Sequence, residues 1–318
     1  MTAQGFNVVE VCSIENERDA IERQLSKYAG DDDVVIILAS DKFWNKHSDV
    51  FISDGPPCQL FSTMKIYYQV LLPGYKAAYE LFDEELSREI FTEVLNVRFK
   101  LKAPSALYPY FDPNQYFTLP EMNIIENDSV FVDCGAFVGD SVEKFINASQ
   151  SIFGKIYAFE PSKAQQKAFL VRRERLLAEW ALTDSQIQLI RAGVGGKRVR
   201  AEMTAGIMSD NIIGQTFDKA TFGSNSDNAI DIVPLDEMLT DENVRLIKSD
   251  VEGFEMEMLR GAEQIIRTKK PLLALSIYHK LSDYYEMPLF IKSLVPEYKL
   301  RLRHHSKEFT ETVLYCTI

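Results

Sequence analysis

The chain has 318 residues, of which 46% are hydrophobic and 11% aromatic, so it is long enough to build one large or two ordinary domains with substantial cores. Its formal net charge is −12 and its pI is about 5.0. Because this charge repels polyanions, we do not expect a nucleic acid or an anionic membrane as the main partner.

The four cysteines form no C-x-x-C pair and no zinc-type spacing, which favours reduced thiols over disulfides. No apolar run approaches the roughly 18 residues of a membrane helix, and the N-terminus lacks a basic segment followed by an apolar core. These features predict a cytoplasmic protein with no integral membrane segment. The sequence does not set the oligomeric state, and a homo-oligomer is compatible with it.

The first third of the chain carries little that indicates chemistry. It contains an acidic helix candidate from Glu15 to Tyr28, a buried strand candidate in "DDDVVIILAS", and a long helical stretch from about Ser62 to Lys100 that we expect to be interrupted at "LLPGY". The segment "APSALYPYFDPNQYFTLP" is too rich in proline for a regular helix. We therefore predict a smaller mixed, largely helical accessory region over 1–105 and a second domain over 106–318.

From Ser129 onward, short apolar strands alternate with amphipathic helices. The strand candidates are "SVFVDCGA", "GKIYAFE", "SQIQLIRAG", "VRLIKSD" and "PLLALSIY". This pattern predicts a doubly wound α/β fold with a mostly parallel sheet. Ser162 and Gln165 form a capping box at the start of one helix, and a stripe from Phe254 to Ile265 predicts another, packed on the sheet. The last two candidates, "YKLRLRHH" and "ETVLYCT", have no helix between them, so we expect an antiparallel hairpin at the sheet edge.

The stretch "VFVDCGAFVGDS", Val130 to Ser141, places two glycines and two acids at the end of a buried strand. In an open α/β sheet this first strand-to-helix turn supplies the ligand loop, and the following helix offers free N–H groups from Asp140. A dinucleotide fingerprint requires a glycine where this chain has Phe137, so a pyrophosphate fits badly. Glu160 ends the next strand, where an acid can accept the hydroxyls of a ribose. A nucleoside without a diphosphate, such as S-adenosylmethionine, meets this description, although a glycine-punctuated structural turn is the alternative.

Three segments, "FVDCGAFVGDS", "IYAFEPS" and "LIKSDVEGFEMEMLRGAEQII", resemble in order and spacing the FkbM family of S-adenosylmethionine-dependent methyltransferases. The resemblance covers roughly Ser129 to Tyr315. It implies a class I methyltransferase fold, S-adenosylmethionine as the cofactor, and O-methylation of a hydroxyl on a sugar, glycan or polyketide-type small molecule. Many members have "IEIH" where this chain has "LSIYH", so Ser276 replaces a glutamate.

The resemblance also assigns cofactor contacts, because the glycine loop and Glu160 match the first two family motifs. The cofactor-binding residues we predict are Asp133, Gly135, Ala136, Gly139, Asp140, Ser141, Glu160, Pro161 and Asp250.

Methyl transfer to an alcohol requires in-line positioning and removal of the hydroxyl proton. Asp250 and Glu252 follow one strand and His279 follows the next, so the three side chains should converge at the ligand edge of the sheet. We predict His279 as the general base, Asp250 as its catalytic partner, and Glu252 as a substrate contact. The alternatives are that the two acids cap the following helix and that His279 is structural. A Mg²⁺ or Mn²⁺ ion held by these three side chains is a further alternative that we do not predict.

Tyr108, Tyr110 and Tyr116 precede the first strand and could form an aromatic wall for a substrate, and His304 and His305 end a strand candidate. We count Tyr108, Tyr116 and His304 as substrate candidates, against a packed linker and an exposed edge pair as the alternatives. Two other functional classes remain open: a non-catalytic cofactor- or partner-binding module, and a nucleotide-dependent oxidoreductase, which Phe137 disfavours. The acceptor contacts should come from variable loops, including the stretch 203–229.

Overall fold

The computed structural model describes residues 35–38, 59–99, 101–205, 210–213 and 229–318. The chain divides into two compact units, Met1–Leu72 and Pro73–Ile318. In the first unit, strands β1 (Val35–Leu38) and β2 (Gln59–Ser62) pair in parallel. The strand predicted in "DDDVVIILAS" is thus present, whereas the predicted helix Glu15–Tyr28 lies outside the described residues. The domain boundary near residue 105 stays a prediction.

The long helical stretch is interrupted at a different place from the one predicted. Helix α1 covers Thr63–Tyr79 and contains Pro73, and helix α2 covers Glu85–Arg98. A proline removes one helical hydrogen bond, and here the helix continues through it. The break comes at 80–84, because Phe82 forms a bridge with Leu300 and the Asp83 N–H donates to the Leu300 carbonyl, 2.9 Å away.

A seven-stranded sheet forms the centre of the second unit, in the order β12, β13, β11, β10, β3, β4, β5. Its strands are β3 (Val130–Cys134), β4 (Lys155–Phe159), β5 (Ile187–Ile190), β10 (Val244–Ser249), β11 (Leu272–Ser276), β12 (Lys299–His304) and β13 (Thr312–Thr317). β13 is antiparallel to both of its neighbours, and the pairs from β11 through β5 are parallel. The doubly wound sheet and its antiparallel hairpin are therefore confirmed.

Helices flank this sheet, and their amphipathic sequences explain how they pack. They are α3 (Asp140–Ala148), α4 (Lys163–Glu179), α5 (Leu235–Leu239), α6 (Glu255–Arg260), α7 (Glu263–Lys269) and α8 (Asp283–Leu294), with 3₁₀ helices at Pro104–Tyr110 and Pro120–Met122. The rings of Phe131 on β3 and Phe145 on α3 stack with centroids 4.4 Å apart. Such a pair contributes about 0.5–1.5 kcal/mol beyond its buried area. Among the described residues, no helix is both long and apolar enough to cross a membrane.

The predicted helix after Asp250 is two helices, α6 and α7, with Gly261 between them. A Cβ atom at Gly261 would lie 2.1 Å from the Gly195 carbonyl oxygen, so the chain turns where another backbone segment passes closely. The apolar stripe is nevertheless buried, since Met258, Ala262 and Ile265 are fully inaccessible.

A second sheet of four strands has the order β6, β9, β7, β8. The strands are β6 (Gly193–Val194), β7 (Val199–Ala205), β8 (Asp210–Ile213) and β9 (Ala229–Val233). β8 and the end of β7 fall within 203–229, which the sequence predicts as a variable loop. Their antiparallel pairing runs from Glu202↔Ile213 to Ala205↔Asp210. Residues 206–209 and 214–228 lie outside the described part of the chain.

Candidate active site

A cavity of about 370 Å³ opens at the carboxyl ends of β3, β4 and β10. β3 lies between β4 and β10, which is where the strand order reverses and where open α/β sheets bind ligands. Residues after β4 and β5 form one end of the cavity, here called the Glu160 end, and residues after β10 and β11 form the Asp250 end. The lining includes Gln115, Tyr116, Gly135, Phe137, Asp140, Ser141, Phe159, Glu160, Pro161, Ser162, Gln165, Gly193, Val194, Lys248, Asp250, Val251, Glu252, Phe254, Tyr278 and Glu311.

The glycine loop after β3 is shaped by a neighbouring backbone segment. Gly135 has a φ of +76°, and a Cβ atom there would lie 1.8 Å from the Asp250 carbonyl oxygen. The glycine is therefore required by the crossing of two protein loops, in addition to any approach of a ligand. Ala136 is fully buried, and its N–H donates to the Phe159 carbonyl.

Asp133 is fully buried beneath this loop and does not line the cavity. Its carboxylate lies 3.0 Å from Lys248 Nζ and accepts a 2.5 Å hydrogen bond from Ser141 Oγ. Lys248 also donates to the Gly135 carbonyl oxygen, 2.7 Å away. Asp133 thus positions two residues that do line the cavity, and the ion pairing explains why a lysine is buried in a strand.

Glu160 follows β4, and its side chain is held by two backbone segments. Oε2 accepts the N–H of Phe137 and Oε1 accepts the N–H of Ser162, each at 2.8 Å. Ser162 caps α4 as predicted, since its Oγ accepts from the Gln165 N–H. Burial raises the pKa of Glu160 to about 7, and the two backbone hydrogen bonds limit the rise. Only 6% of this residue is exposed, and it lines the cavity, as Pro161 does.

Asp250 follows β10 and is held by two tyrosines. Tyr116 donates its hydroxyl proton to Oδ2 at 2.7 Å, and the Tyr278 hydroxyl lies 3.3 Å from Oδ1. Tyr116 is itself fixed by a hydrogen bond from its N–H to the Tyr315 hydroxyl on β13. Burial and the Asp250 charge raise the pKa of the Tyr116 hydroxyl well above its usual value, so this group is a donor.

His279 lies beside three carboxylates. Its Nδ1 is 2.9 Å from Oε1 of the fully buried Glu255, and its Nε2 is 3.5 Å from both Asp250 Oδ1 and Glu252 Oε2. Burial lowers the pKa of His279, but the three carboxylates outweigh burial and raise it to about 9. The surrounding carboxylates thus favour the protonated form of the predicted general base. An imidazolium has no free lone pair, so this environment disfavours a proton-accepting role for His279, and that role stays a prediction.

Two of the predicted substrate residues lie elsewhere. Tyr108 is 54% exposed on its 3₁₀ helix and does not line the cavity. His304 is fully buried, with Nδ1 against Thr312 Oγ1 and Nε2 against the Glu308 carbonyl. His305 is also buried, between the Asp112 carbonyl and the Tyr315 hydroxyl. The histidine pair is therefore structural, and neither of its members is on an exposed edge.

Gly139 caps α3 with a φ of +81° and does not line the cavity, whereas Asp140 and Ser141 do. Sequence reasoning missed Tyr278, Glu311, Gln115 and the buried Glu255 as parts of the site. Tyr278 directly precedes the predicted residue His279, and this proximity was a usable signal; Glu255 lies within a quoted motif, three residues after Glu252. Glu311 lies in the β12–β13 turn and Gln115 far upstream, so only the tertiary structure brings them together.

Residues 133–301, more than half of the chain, match the methyltransferase FkbM domain family. The chain belongs to this family. Methyltransferase FkbM from Methylobacillus flagellatus is similar in structure, with a TM-score of 0.65 and 23% identity over 93% of this chain and 77% of that one. That similarity shows a shared fold and, with the sheet order, confirms the class I methyltransferase architecture.

Two other solved structures are more distant. An rRNA methylase from Streptococcus thermophilus has 15% identity and a TM-score of 0.37, over 62% of this chain and 90% of its own. Fibrillarin from Aeropyrum pernix, solved with S-adenosyl-L-methionine, has 11% identity and a TM-score of 0.36, over 69% of this chain and 74% of its own. A comparison with the curated proteins found no match.

Proposed function

We propose that this FkbM-family protein transfers a methyl group from S-adenosylmethionine to a hydroxyl of a sugar or related small-molecule acceptor. The observation that carries the proposal is Glu160, a buried carboxylate that two backbone N–H groups orient toward a cavity at the switch point of a methyltransferase sheet. A carboxylate placed there can accept both hydroxyls of a ribose.

The Glu160 end suits the nucleoside half of the cofactor. Pro161 and Val194 provide apolar wall, and the ring of Phe137 is 44% exposed beside the cavity, where a purine can pack. The N–H groups at the start of α3, beside Asp140 and Ser141, are available to polar groups of the cofactor. A cavity of about 370 Å³ is within the size range of small-molecule sites.

The Asp250 end suits the acceptor. Glu252, Tyr278 and Glu311 line this end of the cavity, so polar side chains surround space that an acceptor can enter. A non-catalytic module would be expected to fill this space with side chains, and the open cavity therefore favours an enzyme. The donor–acceptor arrangement also agrees with the family to which the chain belongs.

In the transfer step, the acceptor oxygen attacks the methyl carbon, a C–O bond forms, and the C–S bond breaks with its electron pair going to sulfur. The hydroxyl proton must leave the acceptor oxygen. Because the neighbouring carboxylates favour protonated His279, we assign the orientation of the acceptor and the acceptance of its proton to the Asp250 carboxylate, which lines the cavity and is held in place by Tyr116. Holding the oxygen in line with the methyl carbon supplies much of the rate enhancement.

Binding of S-adenosylhomocysteine to a Glu160→Ala variant tests the proposal. A charged hydrogen-bond acceptor contributes about 1.5–3 kcal/mol, so calorimetry should show affinity roughly 10-fold to 100-fold weaker than in the parent. Glu297→Ala is the matched control, since Glu297 forms a surface ion pair with Lys270 and its side chain is 57% exposed. Equal affinity in the parent and a folded Glu160→Ala variant would remove Glu160 from the cofactor site.

A further inference from the structure

The Asp250 end holds more negative charge than its cations balance. Asp250, Glu252 and Glu255 all lie within 3.5 Å of the His279 ring nitrogens, so three carboxylates surround one imidazole. Glu311 adds a fourth carboxyl group at the same end of the cavity. Lys248 interacts with the Asp250 charge, but its direct ion pair, at 3.0 Å, is with Asp133. Carboxylates gathered in a partly buried site are costly unless a cation neutralises them.

Three of these side chains offer donor atoms at the spacing of a coordination shell. One oxygen each from Asp250 and Glu252 and one ring nitrogen of His279 lie within 4.8 Å of one another, and both oxygens are 3.5 Å from Nε2. Ligands about 2.1 Å from a shared ion are separated by about 3.0 Å at right angles and about 3.4 Å at tetrahedral angles. Small side-chain movements would therefore bring all three atoms onto one ion.

The outer contacts of these side chains are those of metal ligands. The other ring nitrogen, Nδ1, faces the buried Glu255 at 2.9 Å, and a carboxylate in that position fixes the tautomer and orientation of a coordinating histidine. Glu255 is in turn held by the Val251 N–H at 3.0 Å. Both ring nitrogens are buried atoms with no aligned hydrogen-bond partner, and Nε2 lies 3.5 Å from an oxygen of each of Asp250 and Glu252. The other carboxylate oxygen of Asp250, Oδ2, accepts a hydrogen bond from the Tyr116 hydroxyl.

We propose that Asp250, Glu252 and His279 bind a divalent cation at the acceptor end of the cavity. Two carboxylate oxygens and one imidazole nitrogen suit Mn²⁺ best, because carboxylates are typical ligands of Mg²⁺ and Mn²⁺ and imidazole favours transition metals. Three protein ligands leave further positions open, and Asp250 and Glu252 line the cavity, so these positions are accessible from it. The ion binds there whether or not the acceptor is a sugar.

The site gives the proposed methyl transfer a means of activating the acceptor, and this consequence alone depends on the proposed function. A hydroxyl oxygen bound to a divalent ion loses its proton more readily than a free hydroxyl. In that arrangement Asp250 would hold the ion rather than take the proton, which would pass to water, and the acceptor oxygen would be left as the nucleophile. As a ligand, His279 would release its Nε2 proton when the ion binds, so ion binding would be coupled to proton release and would weaken at low pH.

Mn²⁺ binding to the full chain tests the proposal. The protein is stripped with a chelator and dialysed, and free Mn²⁺ is followed by electron paramagnetic resonance during a titration. We expect one ion per parent chain, at least a 10-fold loss of affinity in Glu252→Gln and Asp250→Asn, and parent-like binding in Glu297→Gln. Tyr116→Phe, which removes only the outer contact to Asp250, should lose about 10-fold.

Two outcomes overturn the site: no stoichiometric binding to the parent, or unchanged affinity in both Glu252→Gln and Asp250→Asn. Glu252 is 43% exposed, so its amide variant should fold even if the Asp250 variant does not. Calorimetry with S-adenosylhomocysteine on the stripped parent separates the two proposals. Cofactor binding without Mn²⁺ binding would refute the metal site alone, and Mn²⁺ binding without cofactor binding would refute the proposed function alone.

Discussion

The ionisation of Glu160 should make the affinity for the cofactor depend on pH. Burial raises its pKa to about 7, so a proton occupies the carboxyl group in much of the ligand-free protein at neutral pH. Ribose hydroxyls donate to the carboxylate and favour its ionised form. Affinity for S-adenosylhomocysteine should therefore rise between pH 6 and pH 8, by up to about 10-fold, and level off above that range.

The raised pKa of Glu160 affects stability in the opposite direction: cofactor affinity should rise with pH, whereas stability should fall. Between the unfolded pKa of 4.5 and the folded pKa of about 7, the folded protein holds a proton that the unfolded chain has lost. The contribution of Glu160 to the free energy of unfolding therefore falls as the pH rises through this window. In Glu160→Gln both pH dependences should disappear, and a binding profile with the same slope in that variant would contradict the assignment.

Substitutions at Asp250 and His279 should change turnover and its pH dependence in a way that differs from the pattern expected if His279 were the general base. Asp250→Asn should lower turnover by roughly 10² to 10⁴, because Asp250 borders the cavity and receives the Tyr116 hydrogen bond. His279→Ala should also lower turnover, but the parent should show no acid limb near pH 6.5, since His279 stays protonated up to about pH 9 in the metal-free protein. Rate profiles measured after chelation check both statements. An acid limb near 6.5 that His279→Ala abolishes would restore the base role.

At the scale of elements, the loop after β3 and the segment after β10 interlock. A Cβ atom at Gly135 would lie 1.8 Å from the Asp250 carbonyl, in a backbone conformation that side chains rarely adopt. Gly135→Ala should therefore destabilise the second unit by at least about 2 kcal/mol and weaken cofactor binding. Gly196→Ala is the control, because the nearest atom to its Cβ would be a Glu257 side-chain oxygen at 3.0 Å, and the next two atoms lie at ordinary contact distances of 3.5 and 3.6 Å. Chemical denaturation compares the two variants. Equal denaturation midpoints would show that the loop after β3 can move to accommodate a side chain at Gly135.

The elements also show what the sequence could specify. Short apolar runs predicted the five parallel strands, and the two helix-free candidates predicted the hairpin, because burial on both faces leaves an unambiguous pattern. The two helices after Asp250 were predicted as one, since the apolar stripe continues across Gly261 and the break depends on a backbone contact with Gly195. β8 lacks such a pattern, so its pairing with β7 was missed.

The site was predictable to the extent that its residues follow strands. Glu160 and Asp250 could be placed because the carboxyl ends of parallel strands share one edge of the sheet. The raised pKa of His279 could not be predicted, because the sequence assigns no role to Glu255, whose carboxylate lies 2.9 Å from the ring only in the folded structure. Tyr116 was among three candidate tyrosines, and its contacts with Asp250 and with Tyr315 on β13, which separate it from Tyr108, come only from the tertiary structure.

At the scale of the whole molecule, the net charge of −12 should discriminate between the proposed cofactor and its product. S-adenosylmethionine carries a sulfonium charge that S-adenosylhomocysteine lacks, so the field of the protein attracts only the former. The affinity ratio of the two should fall by roughly 2-fold or more as ionic strength rises from about 0.02 M to 0.3 M, because salt screens this attraction. Paired calorimetric titrations measure the ratio. A ratio independent of salt would mean that local contacts alone recognise the sulfonium.

The position of β13 has a consequence for biosynthesis. This strand fills the gap between β11 and β12, all six of its residues are buried, and it follows every other strand of the sheet along the chain. During synthesis, the edge of β11 that faces away from β10 therefore has no partner strand until Thr312–Thr317 has been made. A nascent chain stalled before this point would expose an apolar strand edge, which is a template for aggregation. It would also lack Tyr315, the anchor of Tyr116, so the acceptor end is completed only in the final stage of folding.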